Sequence, residues 1–230
     1  MGKRGIFALV MAVLFIAGAV NAAEETRLMR FPDIHGDKII FTYGRDLWIV
    51  PSEGGTARQL TSHKNAEAFG KFSPDGSTIA FSGSYDGNMD IYTIPVGGGV
   101  PKRLTYHLFG DVIVDWHPSG KKLLFRSARE SKTNPGPRYN RLFLVSADGG
   151  YPEALPLFEG ELTSYSPDGT KIAYNRISRE FRTWTRYRGG MAQDIWLYDF
   201  ENNTSEQLTD FDGTDAFPMW YENRIYFISD

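Results

Sequence analysis

The chain has 230 residues, 41% of them hydrophobic and 23% charged, and a formal net charge of −3. This is an ordinary globular composition, and its charge exerts no general pull on nucleic acid or an anionic membrane. It contains no cysteine, which excludes disulfides, thiolate metal sites and a lipid-modified cysteine after a leader.

Lys3 and Arg4 open the chain with positive charge, Ile6 to Val20 is an apolar run, and Val20-Asn21-Ala22 supplies small or aliphatic residues. The pattern predicts a secretory signal peptide over 1–22, cleaved after Ala22, and an exported mature chain, periplasmic or secreted. An uncleaved anchor is the alternative, but the run is shorter than the roughly 20 residues of a spanning helix. Removing Lys3 and Arg4 takes the formal charge from −3 to −5, and the mature chain is expected to associate neither with membrane nor with nucleic acid.

From Glu25 onward the pattern is strand and turn. A first blade is expected over about 26–61, with Thr26 to Phe31 as inner strand, then Lys38 to Tyr43, Asp46 to Pro51 and Ala57 to Thr61. The second, about 67–105, contains Lys71-Phe72-Ser73-Pro74-Asp75-Gly76-Ser77-Thr78-Ile79-Ala80-Phe81. Ser73, Pro74 and Gly76 suit a type I turn followed by a left-handed residue, the common three-residue hairpin. Ile79-Ala80-Phe81 is apolar on consecutive residues, as in a strand covered on both faces.

That unit returns in the third blade, about 110–156, as Asp115-Trp116-His117-Pro118-Ser119-Gly120 before Lys122-Leu123-Leu124-Phe125. It returns in the fourth, about 160–209, as Ser164-Tyr165-Ser166-Pro167-Asp168-Gly169 before Lys171-Ile172-Ala173-Tyr174. Degenerate copies are Arg30 to Gly36 before Lys38-Ile39-Ile40-Phe41, and Pro218 to Asn223 before Ile225-Tyr226-Phe227. Between hairpins a second pair of strands recurs, such as Asp90-Ile91-Tyr92-Thr93-Ile94 followed by Lys102-Arg103-Leu104-Thr105. A spacing of roughly 40–55 residues suits four-stranded propeller blades. The expected fold is all-β: a β-propeller of four-stranded antiparallel blades, about four and a half of them, in an open or incomplete ring. The fifth, 215–230, stops in mid-blade, which is the mark of a fragment of a longer chain.

Two blades carry insertions between their second and third strands. Ser127 to Asn140 includes Arg129, Lys132 and Arg138; Ser178 to Gln193 includes Arg179, Arg182, Arg186 and Arg188 among Phe181, Trp184 and Tyr187. Strands alternate in direction, so both insertions emerge on one face of the disc and form a basic, aromatic rim. Arg179, Arg182, Arg186, Tyr187 and Arg188 are the candidate substrate-path residues, suited to a carboxylate-bearing peptide. A solvated loop with its aromatics packed on the next blade is the commoner explanation of such a stretch.

No catalytic chemistry is visible. His35, His63, His107 and His117 form no ligand pair, and His63 and His107 share one repeat position, which repeat consensus explains. Asp86-Gly87-Asn88-Met89-Asp90 lacks the spacing of a calcium loop and reads as a polar hairpin tip. There is no Gly-x-Ser-x-Gly elbow and no phosphate-cradling glycine loop. No catalytic residue, metal or cofactor is expected in this segment.

The hairpins and Leu-Thr strand ends resemble TolB-like propeller repeats, a broad class. Two narrower stretches, Arg30 to Ile39 through Asp46-Leu47-Trp48, and Arg186-Tyr187-Arg188-Gly189-Gly190 through Gln193-Asp194-Ile195-Trp196, resemble the first propeller of the tricorn protease family. With the blade register, the likeness covers Arg27 to Asp230. It implies a large serine peptidase: a six-bladed propeller, a second propeller, a PDZ-like module and a C-terminal catalytic region with the nucleophilic serine and its histidine, none of them within this segment. It further implies a homo-oligomer when intact, and a first propeller serving as access or exit path for oligopeptides. The leader departs from the cytosolic archaeal forms and points to an exported bacterial homologue. A TolB-like periplasmic binding propeller and the propeller of a prolyl-oligopeptidase-type enzyme are the rival readings.

Overall fold

The computed structural model describes residues 28–129, 140–178 and 186–230. The first sheet is β1 (Arg30–His35), β2 (Lys38–Tyr43), β3 (Asp46–Pro51) and β4 (Arg58–Gln59). The second is β5 (Glu67–Phe72), β6 (Thr78–Gly83), β7 (Asp90–Pro95) and β8 (Lys102–Arg103). The third is β9 (Asp111–Trp116), β10 (Lys122–Ser127), β11 (Arg141–Ser146) and β12 (Glu153–Ala154). The fourth is β13 (Thr163–Tyr165), β14 (Lys171–Tyr174), β15 (Trp196–Asp199) and β16 (Thr204–Gln207), and β17 (Asp215–Tyr221) pairs with β18 (Arg224–Ser229). Every strand pairs antiparallel with its neighbour in sequence, so each sheet is a meander, and the described strands close no ring. This is the all-β arrangement of four-stranded blades expected from the repeats.

The hairpin turns follow from their residues. Gly76 N–H donates to Ser73 O at 2.8 Å, and Asp75 Oδ1 accepts from the Ser73 hydroxyl at 2.6 Å and from Ser77 N–H at 3.0 Å. Gly76, Gly120 and Gly169 sit at φ of 69°, 70° and 74°, the left-handed region that glycine enters without a Cβ clash. The same hydroxyl and backbone bonds hold the Asp75 and Asp168 carboxyls down to about 2.

The second strands are the core. Ile40, Ile79, Ala80, Phe81, Leu123, Leu124, Phe125, Ile172 and Ala173 are all 0% exposed. Alternation along a strand sends neighbours to opposite faces. Ile79 and Phe81 pack with Ile40 and Leu47 of the first blade, whereas Ala80 packs with Leu123 and Phe125 of the third. Leu124 turns the other way, onto Tyr165 and Ile172 of the fourth. The core is therefore a series of layers between blades, each shared by two sheets.

The first inner strand differs from expectation. It spans Arg30–His35 rather than Thr26 to Phe31, and the turn falls after His35. Its register shifts between Arg30 and Asp33, where Phe31 adopts φ 51°. Phe69 (60°) and Phe217 (59°) do the same on β5 and β17. A bulge at the same point of three blades adds a residue to the inner strand without ending it. In the fourth blade the third strand begins at Trp196.

Candidate functional site

Successive inner strands pack on one another, β1 on β5, β5 on β9, β9 on β13 and β13 on β17, so they line a common axis. Each is an edge strand whose outer N–H groups need acceptors. At one repeat position, occupied by Asp33, Lys71, Asp115, Ser164 and Met219, two side chains meet that need across blades and a third within its own strand. Asp33 Oδ2 accepts Phe72 N–H at 2.9 Å, Ser164 Oγ accepts Trp220 N–H at 2.9 Å, and Asp115 Oδ1 accepts Trp116 N–H at 2.8 Å. Lys71 Nζ lies 3.1 Å from Asp33 Oδ1. Burial pushes the Asp115 carboxyl up to about 6, with Lys71 opposing and Asp33 reinforcing. Burial works to lower Lys71, but Asp33 and Asp115 outweigh it and hold the amine above its ordinary value. Sequence reasoning missed this collar; the shared repeat position was the signal for it.

At the rim, the two insertions leave their blades between second and third strands, as expected from the sequence. Arg179 and Arg182 lie outside the described residues, as do Phe181, Trp184, Lys132 and Arg138. Arg186 and Arg188 are exposed and Tyr187 half-buried. Arg186 N–H donates to Asp230 Oδ2 at 3.1 Å, and the Arg188 guanidinium is 3.3 Å from Asp212. Arg129 is not part of the rim. Its side chain is 10% exposed, ion-paired with the fully buried Asp111 and placed 5.2 Å and 5.4 Å from the ring centres of Phe125 and Phe143. The guanidinium reaches back to Asp111 at the start of its own blade, so the charge serves the boundary between blades.

That boundary belongs to a repeated arrangement. Where blades one and two meet, the buried Glu67 accepts from the Thr61 and Tyr85 hydroxyls, and Thr61 Oγ1 accepts Leu47 N–H at 3.0 Å. Burial pushes Glu67 up. Between blades two and three, Asp90 and Asp111 meet Arg103, at 2.6 Å from Asp90, and Arg129. Between three and four, Glu161 accepts from Arg126 at 2.6 Å and Asn140 at 2.8 Å.

The histidines serve turns. His63 Nδ1 accepts Asn65 N–H and His107 Nδ1 accepts Phe109 N–H, each at 3.1 Å. At the tip before β7, Asp86 and Asp90 both bind Arg103, and Asn88 Nδ2 donates to His107 O at 2.7 Å. No group of three His, Cys, Asp or Glu able to hold a metal occurs among the described residues. No helix among them is long and apolar enough to cross a membrane. A cleft of about 570 Å³ between blades two and three is lined by Ser73, Thr93, Lys102, Trp116 and Ser119, away from the rim.

The blades and their axis define a β-propeller module. Residues 26–230 match the family described as the tricorn protease N-terminal beta propeller domain, and the chain belongs to that family. Tricorn protease homolog 1 of Streptomyces coelicolor is 30% identical over 218 residues, covering 88% of this chain and 19% of the relative. The tricorn protease of Thermoplasma acidophilum is also 30% identical, over 214 residues, with the same coverage of 88% and 19%. The crystal structure of the tricorn protease superposes with a TM-score of 0.74 at 28% identity, over 90% of this chain and 20% of that one. A putative TolB from Agrobacterium tumefaciens, at 23% identity and a TM-score of 0.61, covers 77% of this chain and 63% of that one, and shares the fold. This chain thus spans about a fifth of the length of the tricorn relatives it matches, and corresponds to their propeller rather than to a whole protease.

Proposed function

We propose that this propeller is the non-catalytic peptide path of an exported, serine-type oligopeptidase. The observation that carries the reading is the family match over residues 26–230, joined to inner strands that line one axis. The nucleophile and its histidine belong to further domains of the same longer polypeptide, which assembles as a homo-oligomer. Arg186 and Arg188, with Arg179 and Arg182 of the same insertion, steer peptide carboxylates toward the axis; guanidinium forks suit that anion. The leader over 1–22 directs the protein out of the cytoplasm, and amino-terminal sequencing of the mature protein is expected to begin at Ala23.

The test uses the full-length enzyme. Replacing Arg186 and Arg188 together by Ala is expected to slow cleavage of long peptides with a free C-terminus several-fold, more at low salt than at high. C-terminally amidated versions of the same peptides should change little. Equal rates for both substrates at both salt concentrations would remove the rim from the peptide path.

A further inference from the structure

The cleft between the second and third blades is there because the side chains that close the next boundary are smaller here. Val96, Ala147 and Phe200 stand at one repeat position, fixed by the same backbone bond. Val96 N–H donates to Ser77 O and Ala147 N–H to Lys121 O, each at 2.9 Å, and Phe200 N–H donates to Thr170 O at 3.0 Å. Each packs on the core of the boundary before its own blade. Between blades three and four, the Phe200 ring stacks on Tyr165 with centroids 6.2 Å apart, and Leu144 packs on the same core. Between blades two and three, Ala147 replaces Phe200 and Thr93 replaces Leu144, while Trp116 stands where Tyr165 stands. The space left is about 570 Å³, within the range of small-molecule sites.

Polar groups face this space. Thr93 is 8% exposed and lines it with a hydroxyl that has no hydrogen-bond partner among the described residues. A buried hydroxyl left unpaired is costly, and a ligand group that bonds it recovers the cost. Asp75, on the β5–β6 turn, and Lys102, on β8, bring opposite charges to the lining. Bonds from Ser73 and Ser77 to Asp75 Oδ1 hold that carboxyl at about 2, so it is ionised at neutral pH, and they leave Oδ2 to a ligand. Lys102 Nζ donates to Asp148 O at 2.9 Å and lies 3.5 Å from Ala147 O, which leaves at least one ammonium hydrogen unused. We propose that this cleft binds an aromatic amino acid with free termini. Its ring lies beside Ala147 against Trp116, as Phe200 lies against Tyr165; its ammonium meets Asp75 and its carboxylate meets Lys102. A cation or an anion alone would leave one of the two protein charges unmatched, whereas a zwitterion complements both. The hairpins around the cleft place it on the face opposite the two insertions, so the inference does not depend on the peptide-path reading.

The experiment is isothermal titration calorimetry of the full-length protein with L-phenylalanine as the probe. L-leucine, which keeps both charges but has no ring, and N-acetyl-L-phenylalanine amide, which keeps the ring but has no charge, are the comparisons. Phenylalanine should bind saturably, and each comparison several-fold more weakly. Ala147→Phe supplies the ring from within the chain and should abolish binding. Its melting temperature should hold or rise, because the fourth blade accepts Phe200 at the same position. Ala147→Leu serves the same purpose if the larger ring is not accommodated. Lys102→Met should weaken phenylalanine several-fold and leave the uncharged amide unchanged. Absence of saturable binding overturns the proposal, as does binding that survives both Ala147 variants. Equal affinity for leucine and phenylalanine removes the aromatic assignment, and an unaltered affinity in Lys102→Met removes the carboxylate contact; either result overturns the ligand class proposed.

Discussion

Lys71 Nζ lies 3.1 Å from Asp33 Oδ1, and the other oxygen of the same carboxylate accepts Phe72 N–H at 2.9 Å. One side chain of the first blade thus caps the exposed backbone edge of the second and pairs its charge. Asp33→Ala leaves Phe72 N–H without its acceptor and Lys71 without its hydrogen-bonded carboxylate, and is expected to destabilise by about 1–3 kcal/mol. Asp33→Asn keeps the acceptor for Phe72 N–H and should cost less. Urea unfolding of the two variants, compared by midpoint at constant slope, measures the difference. Equal losses would mean that the charge, not the edge cap, is what matters.

Asp115 sets a pH dependence. Burial raises its carboxyl to about 6, so between roughly pH 4 and 6 the folded state keeps a proton that the unfolded chain has lost. Stability should therefore fall as pH rises through that window. Asp75 and Asp168, held at about 2, act in the opposite sense and only below about pH 4. Thermal melting of Asp115→Asn against the unmodified chain should show a shallower decline from pH 4 to 6, and parallel curves would refute the assignment.

Much of this architecture is legible in the residues. Ser73-Pro74-Asp75-Gly76 and its copies state their own turn chemistry, and consecutive apolar residues such as Ile79-Ala80-Phe81 announce a strand enclosed on both sides. The bulges were hidden because a left-handed Phe31, Phe69 or Phe217 is disfavoured locally, and packing between blades overrides that preference. The sequence places Arg129 on the rim because it opens a basic insertion; only the fold brings it back to Asp111, 18 residues earlier.

Gly76 and Gly36 separate two costs of filling a turn. Both have positive φ, at 69° and 56°. A Cβ at Gly36 meets nothing within 4 Å, whereas one at Gly76 falls 2.4 Å from His35 Cδ2. Gly36→Ala should cost about 1 kcal/mol for the backbone alone. Gly76→Ala should cost more, because the His35 ring, packed near Phe72 at 5.9 Å between centroids, must shift. Chemical unfolding of both variants checks the order; a larger loss at Gly36 would contradict it.

Arg129 and Arg188 began as members of one basic surface and sit in opposite environments. The Arg188 ion pair with Asp212 has side chains 65% and 81% exposed, and pairs of that kind contribute little in water. Arg129 faces a carboxylate with 0% exposure and lies over two buried rings. Removing it strands Asp111 as an unpaired charge beside Asp90, which burial already pushes up. Arg129→Ala should therefore destabilise by about 3–5 kcal/mol, and Arg188→Ala by less than about 1 kcal/mol. Arg129→Met with Asp111→Asn, which removes the charge from both sides and keeps the volume over Phe125 and Phe143, should recover a substantial part of that loss. Urea unfolding of the three variants at pH 7 gives the comparison. If Arg129→Ala proves as mild as Arg188→Ala, the ion pair with Asp111 contributes nothing and Arg129 returns to the solvent-facing rim. If the double variant is no better than Arg129→Ala, packing of the guanidinium on the rings, not the stranded charge, accounts for the cost.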